Sequence, residues 1–277
     1  MKHFVKALAL LLCLTLLLTA CGSAPSGDVT SSASSGQSES GSSAAQTSVA
    51  KKADPDQFTA AFETEPGRLD PQNNSSLVGI MIEKQIFEPL VDKDPTTGEI
   101  IPCLATEWEW VDDTHLEMTL REGVKFHHGE DLTSDDVLHS LYRMKTEATA
   151  ASFFTSLDLD NTTAADDYHV TIAFLQPFAP IMNFFASGRG YIVPHDYLEE
   201  NGNNALDQSP VGTGPYKFVE WLVSSHVDLV RNDDYWGGAP AIKNVKIRFI
   251  TEPTARAIAL ETGEIDLAST LDDNDVA

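Results

Sequence analysis

The sequence changes character near residue 50, and that break sets how much of the chain can build a core. Residues 22–50 read GSAPSGDVTSSASSGQSESGSSAAQTSVA, in which 11 Ser, 5 Ala and 4 Gly fill 20 of 29 positions. Such a stretch has almost nothing to bury and cannot offset the entropy of ordering its backbone. It is expected to be a flexible coil spanning about 30 Å, from roughly 5–6 Å times the square root of its length. Ahead of it, Ala7 to Ala20 is almost wholly apolar and follows Lys2 and Lys6. That run is shorter than the ~20 residues a helix needs to cross a bilayer. A basic start, a short apolar run and small residues at its end read as a secretory leader, the alternative being an uncleaved anchor. The folding unit is therefore expected within residues 51–277.

Leu18-Thr19-Ala20-Cys21, followed by Gly22, resembles a bacterial lipobox. The resemblance implies that Cys21 is lipidated and becomes the mature N-terminus; the alternative is ordinary cleavage that leaves a free thiol. Cys13 would depart with the leader, so Cys103 is the cysteine of the folding unit. Three cysteines are too few for a disulfide framework. Over the whole chain 18 Lys+Arg face 42 Asp+Glu, a net charge of −24, and the leader and spacer hold two of each sign. The folding unit thus carries the whole acid excess. It lacks the basic face that a nucleic acid or an anionic membrane surface requires. The excess reads as a solvated surface, because net charge alone cannot place a cationic ligand.

Along the folding unit the periodicity alternates between strand and helix. Gln57 to Phe62 reads as a first strand, and Pro66-Gly67 turns the chain. Ser76 can cap a helix to about Phe87, with Leu77, Ile80, Met81 and Phe87 near helical spacing and Pro89 ending it. Asp112-Asp113 lies between Trp108–Val111 and Leu116–Leu120, a hairpin pattern. Thr133-Ser134-Asp135-Asp136 resembles a capping box, with Asp in the usual Glu position. The helix it opens carries Val137, Leu138, Leu141 and Tyr142 on one face. His169–Phe174 alternates as a strand, and Pro180–Ala186 reads as a short helix. Tyr216–Trp221 and Val227–Arg231 form a second hairpin pattern around Ser224-Ser225. Val245–Ile250 is a strand, Pro253 suits the first turn of a helix that stops at Gly263, and Glu264–Leu267 starts another strand. Hairpins and strand–helix–strand steps occur together, so the expected class is α/β (mixed α+β) with a mixed sheet.

The chemistry-bearing clusters point away from catalysis. His127-His128-Gly129-Glu130-Asp131 gathers potential metal ligands, yet adjacent strand residues face opposite ways, and the alternative is a polar turn before the Thr133 helix. His195-Asp196 could form part of a catalytic triad, but no G-x-S-x-G elbow accompanies it. Gly212-Thr213-Gly214 lacks the further glycine of a dinucleotide fingerprint and the lysine of a phosphate loop. Pro215 also removes a backbone donor, so this run reads as a tight turn into the strand at Tyr216. Trp108, Trp110, Trp221 and Trp236 can stack on a ligand or pack in the core. Cys103 reads as a small buried hydrophobe. No catalytic residue, metal ligand or cofactor is assigned, and binding is favoured over catalysis.

A set of segments taken in order resembles one family. They are Gly67-Arg68-Leu69-Asp70-Pro71, Ile86-Phe87-Glu88-Pro89-Leu90, Leu104-Ala105-Thr106-Glu107-Trp108 and Leu120-Arg121-Glu122-Gly123-Val124-Lys125-Phe126-His127. There follow Leu132-Thr133-Ser134-Asp135-Asp136-Val137, Pro210-Val211-Gly212-Thr213-Gly214-Pro215-Tyr216, Arg231-Asn232-Asp233-Asp234-Tyr235-Trp236-Gly237 and Thr262-Gly263-Glu264-Ile265-Asp266. The ordered set is similar to the bacterial extracellular solute-binding proteins of family 5, the peptide, dipeptide and nickel receptors of ABC transporters. It spans nearly all of residues 55–270. His128 departs from the Asp usual after the family's Phe-His pair.

The resemblance implies a lobe of the type II periplasmic-binding-protein kind, in a two-lobed receptor that closes on its solute by a hinge. The expected division is a lipoprotein leader over 1–20, a flexible linker over 21–50 and a first lobe over 51–277. That lobe would hold a subdomain at roughly 91–175 and stop near the hinge, with the second lobe missing. The implied function is a lipid-anchored, extracytoplasmic, monomeric receptor that hands oligopeptides or dipeptides to a membrane permease and is not an enzyme. The alternatives are a nickel chelate or another small solute, a secreted metalloenzyme built on His127 and His128, or a non-functional fragment. The segment after Leu69-Asp70-Pro71 lines the cleft in relatives, so Asn73, Asn74, Ser75 and Leu77 are carried over as candidate ligand contacts. Arg189, in Ser187-Gly188-Arg189-Gly190, is another; it either holds a ligand carboxylate by a bidentate contact or is a surface charge in a Gly-rich turn.

Overall fold

The computed structural model describes residues 54–147 and 149–271. The leader, the spacer and Cys21 lie outside the described residues. In chain order the elements begin with β1 (Gln57–Phe62), α1 (Leu77–Ile86), β2 (Val91–Lys93), β3 (Ile100–Pro102), β4 (Ala105–Asp112) and β5 (His115–Leu120). They continue with α2 (Ser134–Thr146), β6 (Thr163–Asp166), β7 (His169–Ala173), α3 (Ile181–Phe185), α4 (His195–Asn201) and α5 (Ala205–Gln208). The last are β8 (Tyr216–Leu222), β9 (His226–Arg231), β10 (Asn244–Phe249), α6 (Pro253–Glu261) and β11 (Leu267–Ala268). A short 3₁₀ turn at Gly188–Gly190 follows α3.

Three sheets result. A five-stranded sheet has the order β11-β1-β10-β9-β8, with β1 parallel to β10 and β11 and the other pairs antiparallel. This is the mixed sheet expected from the sequence. A four-stranded antiparallel sheet has the order β4-β5-β7-β6, and β2 and β3 pair separately. The four short strands β2, β3, β6 and β11 carry little periodicity and are defined by their partners.

Each large sheet has its own core. Leu116, Met118, Val137, Leu141, Val170 and Ile172 pack between the four-stranded sheet and α2. Val78, Ile82, Ile86, Val227, Leu229 and Ile247 pack between the five-stranded sheet and α1. Burial of this apolar area drives the fold at roughly 25 cal/mol per Å².

Helix α1 turns a different face inward than simple periodicity indicates, whereas α2 buries the expected Val137 and Leu141 and departs from expectation at Tyr142. On α1 the buried stripe is Val78, Gly79, Ile82, Glu83 and Ile86, while Leu77 and Met81 face out. On α2, Val137, Ser140, Leu141, Arg143 and Met144 are buried and Tyr142 is exposed. In each case an ionisable residue, Glu83 or Arg143, lies on the inner stripe, and partners from elsewhere in the chain determine the helix rotation. The start signals hold. Gly79 N donates to Ser76 Oγ at 3.3 Å, and Thr133 N donates to Asp136 Oδ2 at 2.9 Å.

Candidate functional site

The segment between β1 and α1 is held from beneath by a buried ion pair. Arg143 Nη2 donates to Asp70 Oδ2 at 2.7 Å, and both side chains are 1% exposed. Arg143 Nη1 donates to Gln72 Oε1 at 3.0 Å, and Gln72 Nε2 donates to Tyr191 O at 3.2 Å. The segment is thus fixed to α2 and to the strand-like stretch after the 3₁₀ turn. Arg143 Nε is buried without a hydrogen-bond partner, so these contacts through Nη1 and Nη2 are what offset the lost hydration of the pair.

On this base the four candidate residues diverge. Asn73 is half-buried, and its amide donates to Asp70 Oδ2 at 3.2 Å and to Glu147 Oε2 at 3.1 Å. Asn74 is buried, and its amide is used internally: Nδ2 donates to Glu83 Oε1 at 2.7 Å and Oδ1 accepts from Ser76 N at 2.8 Å. Ser75 and Leu77 are exposed, Leu77 at 69%. Gly79 allows Asn74 this position, since a Cβ there would lie 1.8 Å from Asn74 Nδ2. Ser75 and Leu77 therefore offer contact surface, whereas Asn74 shapes the turn.

Glu83 joins this segment to Arg189. It is fully buried, and one carboxylate oxygen, Oε2, has no hydrogen-bond partner. Burial pushes its pKa up to about 8, against the lowering effect of the Asn74 hydrogen bond and of the more distant Arg189 charge. Arg189 lies on the 3₁₀ turn, where Gly188 packs against Ile80 of α1. Its guanidinium carbon stands 4.6 Å from the Phe153 ring centre, a cation–π contact. Its Nε is buried without a hydrogen-bond partner, and it belongs to none of the ion pairs among the described residues. The structure thus places Asn73, Ser75 and Leu77 at the start of α1 and Arg189 on the turn whose Gly188 packs against Ile80 of the same helix. A cavity of about 430 Å³ opens along the same helix, lined by Ile80, Lys84, Gly188 and Tyr191 among others.

A second buried carboxylate escapes a local reading of the sequence. Glu88 accepts from Thr213 Oγ1 at 2.8 Å, Tyr235 Oη at 2.6 Å and Trp236 Nε1 at 2.8 Å. Desolvation raises its pKa and the three hydrogen bonds oppose that shift. The available signal was an acid within the apolar run Ile86–Leu90; its partners are more than a hundred residues away. Glu83 gave a similar signal, being an acid on the apolar stripe of its helix.

The other chemistry-bearing residues take structural roles. His127 Nε2 donates to Gly214 O at 2.9 Å and its Nδ1 accepts from Gly212 N at 3.4 Å. Both ring nitrogens are thereby satisfied in the neutral form, and burial lowers its pKa to about 4. His128 instead pairs with Glu130 at 2.7 Å, so the two histidines do not converge. Gly212 and Gly214 let the backbone pass directly over the end of α1: a Cβ on Gly212 would lie 2.1 Å from Ile86 O. His195 stacks on His139 with ring centres 4.5 Å apart, and its Nδ1 is 3.8 Å from the exposed Asp196. That is no catalytic pair. Cys103 is buried, and burial pushes its thiol pKa up. Trp108 and Trp221 pack on the two cores, Trp110 lies 5.4 Å from Phe174, and Trp236 serves Glu88.

Comparison with known proteins adds a second line of observation. The family model for the middle part of bacterial extracellular solute-binding proteins, family 5, matches residues 99–277. The chain is 30% identical over 226 residues to the nickel-binding periplasmic protein of Escherichia coli, covering 79% of this chain and 42% of that protein. It is 27% identical over 256 residues to the di/tripeptide-binding protein 2 of Pseudomonas aeruginosa, covering 83% and 48%. Among solved structures it is similar to the ABC transporter-associated periplasmic binding protein DppA of Helicobacter pylori in complex with the peptide STSA. The TM-score is 0.74 at 28% identity, over 79% of this chain and 48% of that one. The chain spans less than half the length of each of these relatives.

Proposed function

Because the chain belongs to the bacterial extracellular solute-binding proteins of family 5, we propose that it captures short peptides for an ABC importer. The observation that carries this reading is Arg189. It is a guanidinium held over Phe153, with no ion-pair partner among the described residues, on a turn that packs against Ile80 of α1. A planar fork of this kind suits the carboxylate of a peptide. Ser75, Leu77 and the exposed edge of Asn73 supply the adjoining surface, with Asn74 holding the turn from below. Residues 51–277 act as the first lobe of the receptor, with a subdomain at roughly 91–175. Residues 1–20 act as leader and 21–50 as linker. Cys21 carries the lipid that anchors the receptor outside the cytoplasm, where it meets the permease as a monomer. The protein binds and delivers without making or breaking bonds.

The likeness to a nickel-binding relative supports a second reading, a metal chelate. Arg189 would then hold a carboxylate of the chelator. Titration of the full product of the gene with tripeptides and with nickel–histidine, followed by tryptophan fluorescence, separates the two. Saturable tripeptide binding that weakens about tenfold in Arg189→Met, the loss of a charge-assisted bidentate contact, supports the peptide reading. Binding of the nickel complex alone overturns it.

A further inference from the structure

Three side chains on one face of the β8–β9 hairpin form a group that solute capture does not use. In the antiparallel register Glu220 lies opposite Asp228 and Leu222 opposite His226. His226 and Asp228 are two residues apart on β9 and therefore point to the same face. His226 Nε2 is 3.5 Å from Glu220 Oε1 and 3.5 Å from Asp228 Oδ2. One donor atom from each of the three residues lies within 4.8 Å of the other two. We propose that Glu220, His226 and Asp228 bind a zinc ion, with water completing the shell.

The spacing supports an ion rather than a plain ion pair. N···O contacts of 3.5 Å exceed the 2.7–3.2 Å of an ordinary hydrogen bond. They match the edge of a tetrahedron around zinc, about 3.4 Å for bonds of about 2.1 Å. The histidine is also oriented for ligation. Its Nδ1 is 2.9 Å from Ser225 Oγ, so the hydroxyl can accept the ring proton and leave the Nε2 lone pair directed at the two carboxylates. A second hydrogen bond of this kind is the usual support of a metal-bound histidine. One imidazole and two carboxylates suit zinc better than the hard oxygen-seeking ions. His226 and Asp228 are mostly covered, while Glu220 is 59% exposed and leaves an entry path.

The neighbouring strand supplies a competitor. Lys246 lies opposite Asp228 on β10; its Nζ donates to Asp228 Oδ2 at 2.7 Å and is 2.6 Å from Oδ1. Arg248, opposite His226, turns away to Glu264 at 2.6 Å. Zinc at Asp228 Oδ2 must displace the lysine from that oxygen or share it, and the lysine's charge lowers the affinity for the ion.

Equilibrium dialysis of the untagged protein against zinc chloride, with the metal counted by mass spectrometry, tests this. The expected result is one zinc per chain, with affinity about tenfold weaker in His226→Ala and in Glu220→Ala and several-fold tighter in Lys246→Met. The exposed His128–Glu130 and His169–Asp166 pairs serve as controls, and His128→Ala and His169→Ala are expected to leave the affinity unchanged. Glu220 is an exposed residue, so its variant tests the site without threatening the fold. Zinc binding that survives both His226→Ala and Glu220→Ala, or no stoichiometric binding in the parent, overturns the proposal.

Discussion

Trp236 donates its indole N–H to Glu88 Oε2 at 2.8 Å, across 148 residues of sequence. Thr213 and Tyr235 meet the same carboxylate. The Phe-Glu-Pro-Leu, Gly-Thr-Gly-Pro and Tyr-Trp-Gly runs that mark this family in the sequence thus converge on one buried acid. Replacing Glu88 with Ala leaves three donors without an acceptor, each worth about 1–3 kcal/mol when stranded. We expect Glu88→Ala to lose on the order of 3 kcal/mol or more in urea unfolding, and Trp236→Phe about 1 kcal/mol. A loss under about 1 kcal/mol in Glu88→Ala would show that the convergence contributes nothing to stability.

Glu83 makes stability depend on pH in the direction opposite to a paired surface acid. Its pKa is about 8 in the fold against 4.5 for the free side chain. Below the lower value both folded and unfolded chains are protonated there. Between the two values the unfolded chain ionises and the folded one does not, so the folded state loses ground as pH rises. Glu83→Gln removes this dependence while keeping an acceptor for Asn74. Relative to the parent, the variant is expected to gain about 2 kcal/mol or more between pH 5 and pH 8, each pKa unit being worth about 1.4 kcal/mol. Parallel stability curves for the two proteins would refute the assignment.

His127 acts at the acid end. Its pKa is lowered from 6.5 to about 4 by burial. The neutral ring contributes its full stabilisation above pH 6.5, and that contribution is lost as pH falls toward 4. His127→Gln is expected to be less stable than the parent at pH 7 and to show a flatter decline below pH 6. Stability measured by chemical denaturation from pH 4 to pH 7.5 checks both points; an equally steep decline in the variant contradicts them.

The Asp70–Arg143 pair is expected to be costly to break from one side. Arg143→Met strands a carboxylate that is 1% exposed, a change worth about 3–5 kcal/mol. Asp70→Asn combined with Arg143→Met should cost less than the sum of the single changes, because the double variant leaves no unpaired ion. A double-mutant cycle by thermal unfolding measures this coupling, and additive losses would show that the two groups act independently.

Much of the local structure was legible in the chain. Ser76 and Thr133 marked the two long helices, the Asp112-Asp113 and Ser224-Ser225 turns marked the two hairpins, and alternation marked β5 and β7. These signals are local, because a cap or a turn depends on residues within a few positions. The rotation of α1 was not legible, while on α2 only Tyr142 departs from the expected inner face. Leu77 and Met81 have the hydrophobicity of core residues, yet they face out because Glu83 and Asn74 hold the opposite side of the helix inward.

By itself the sequence determined that residues 22–50 have too little to bury to supply a core, because Ser, Ala and Gly fill 20 of their 29 positions. It also determined the mixed class and the order of the longer elements, because periods of 2 and 3.6 belong to the backbone. Only the tertiary structure decided which charges are buried and with whom. Arg143 meets Asp70 across 73 residues and Tyr235 meets Glu88 across 147. The arrangement of Glu220, His226 and Asp228 around one point depends likewise on the strand register. A charge is stable inside a protein only beside a matching partner, and local sequence cannot show which distant segment will supply it.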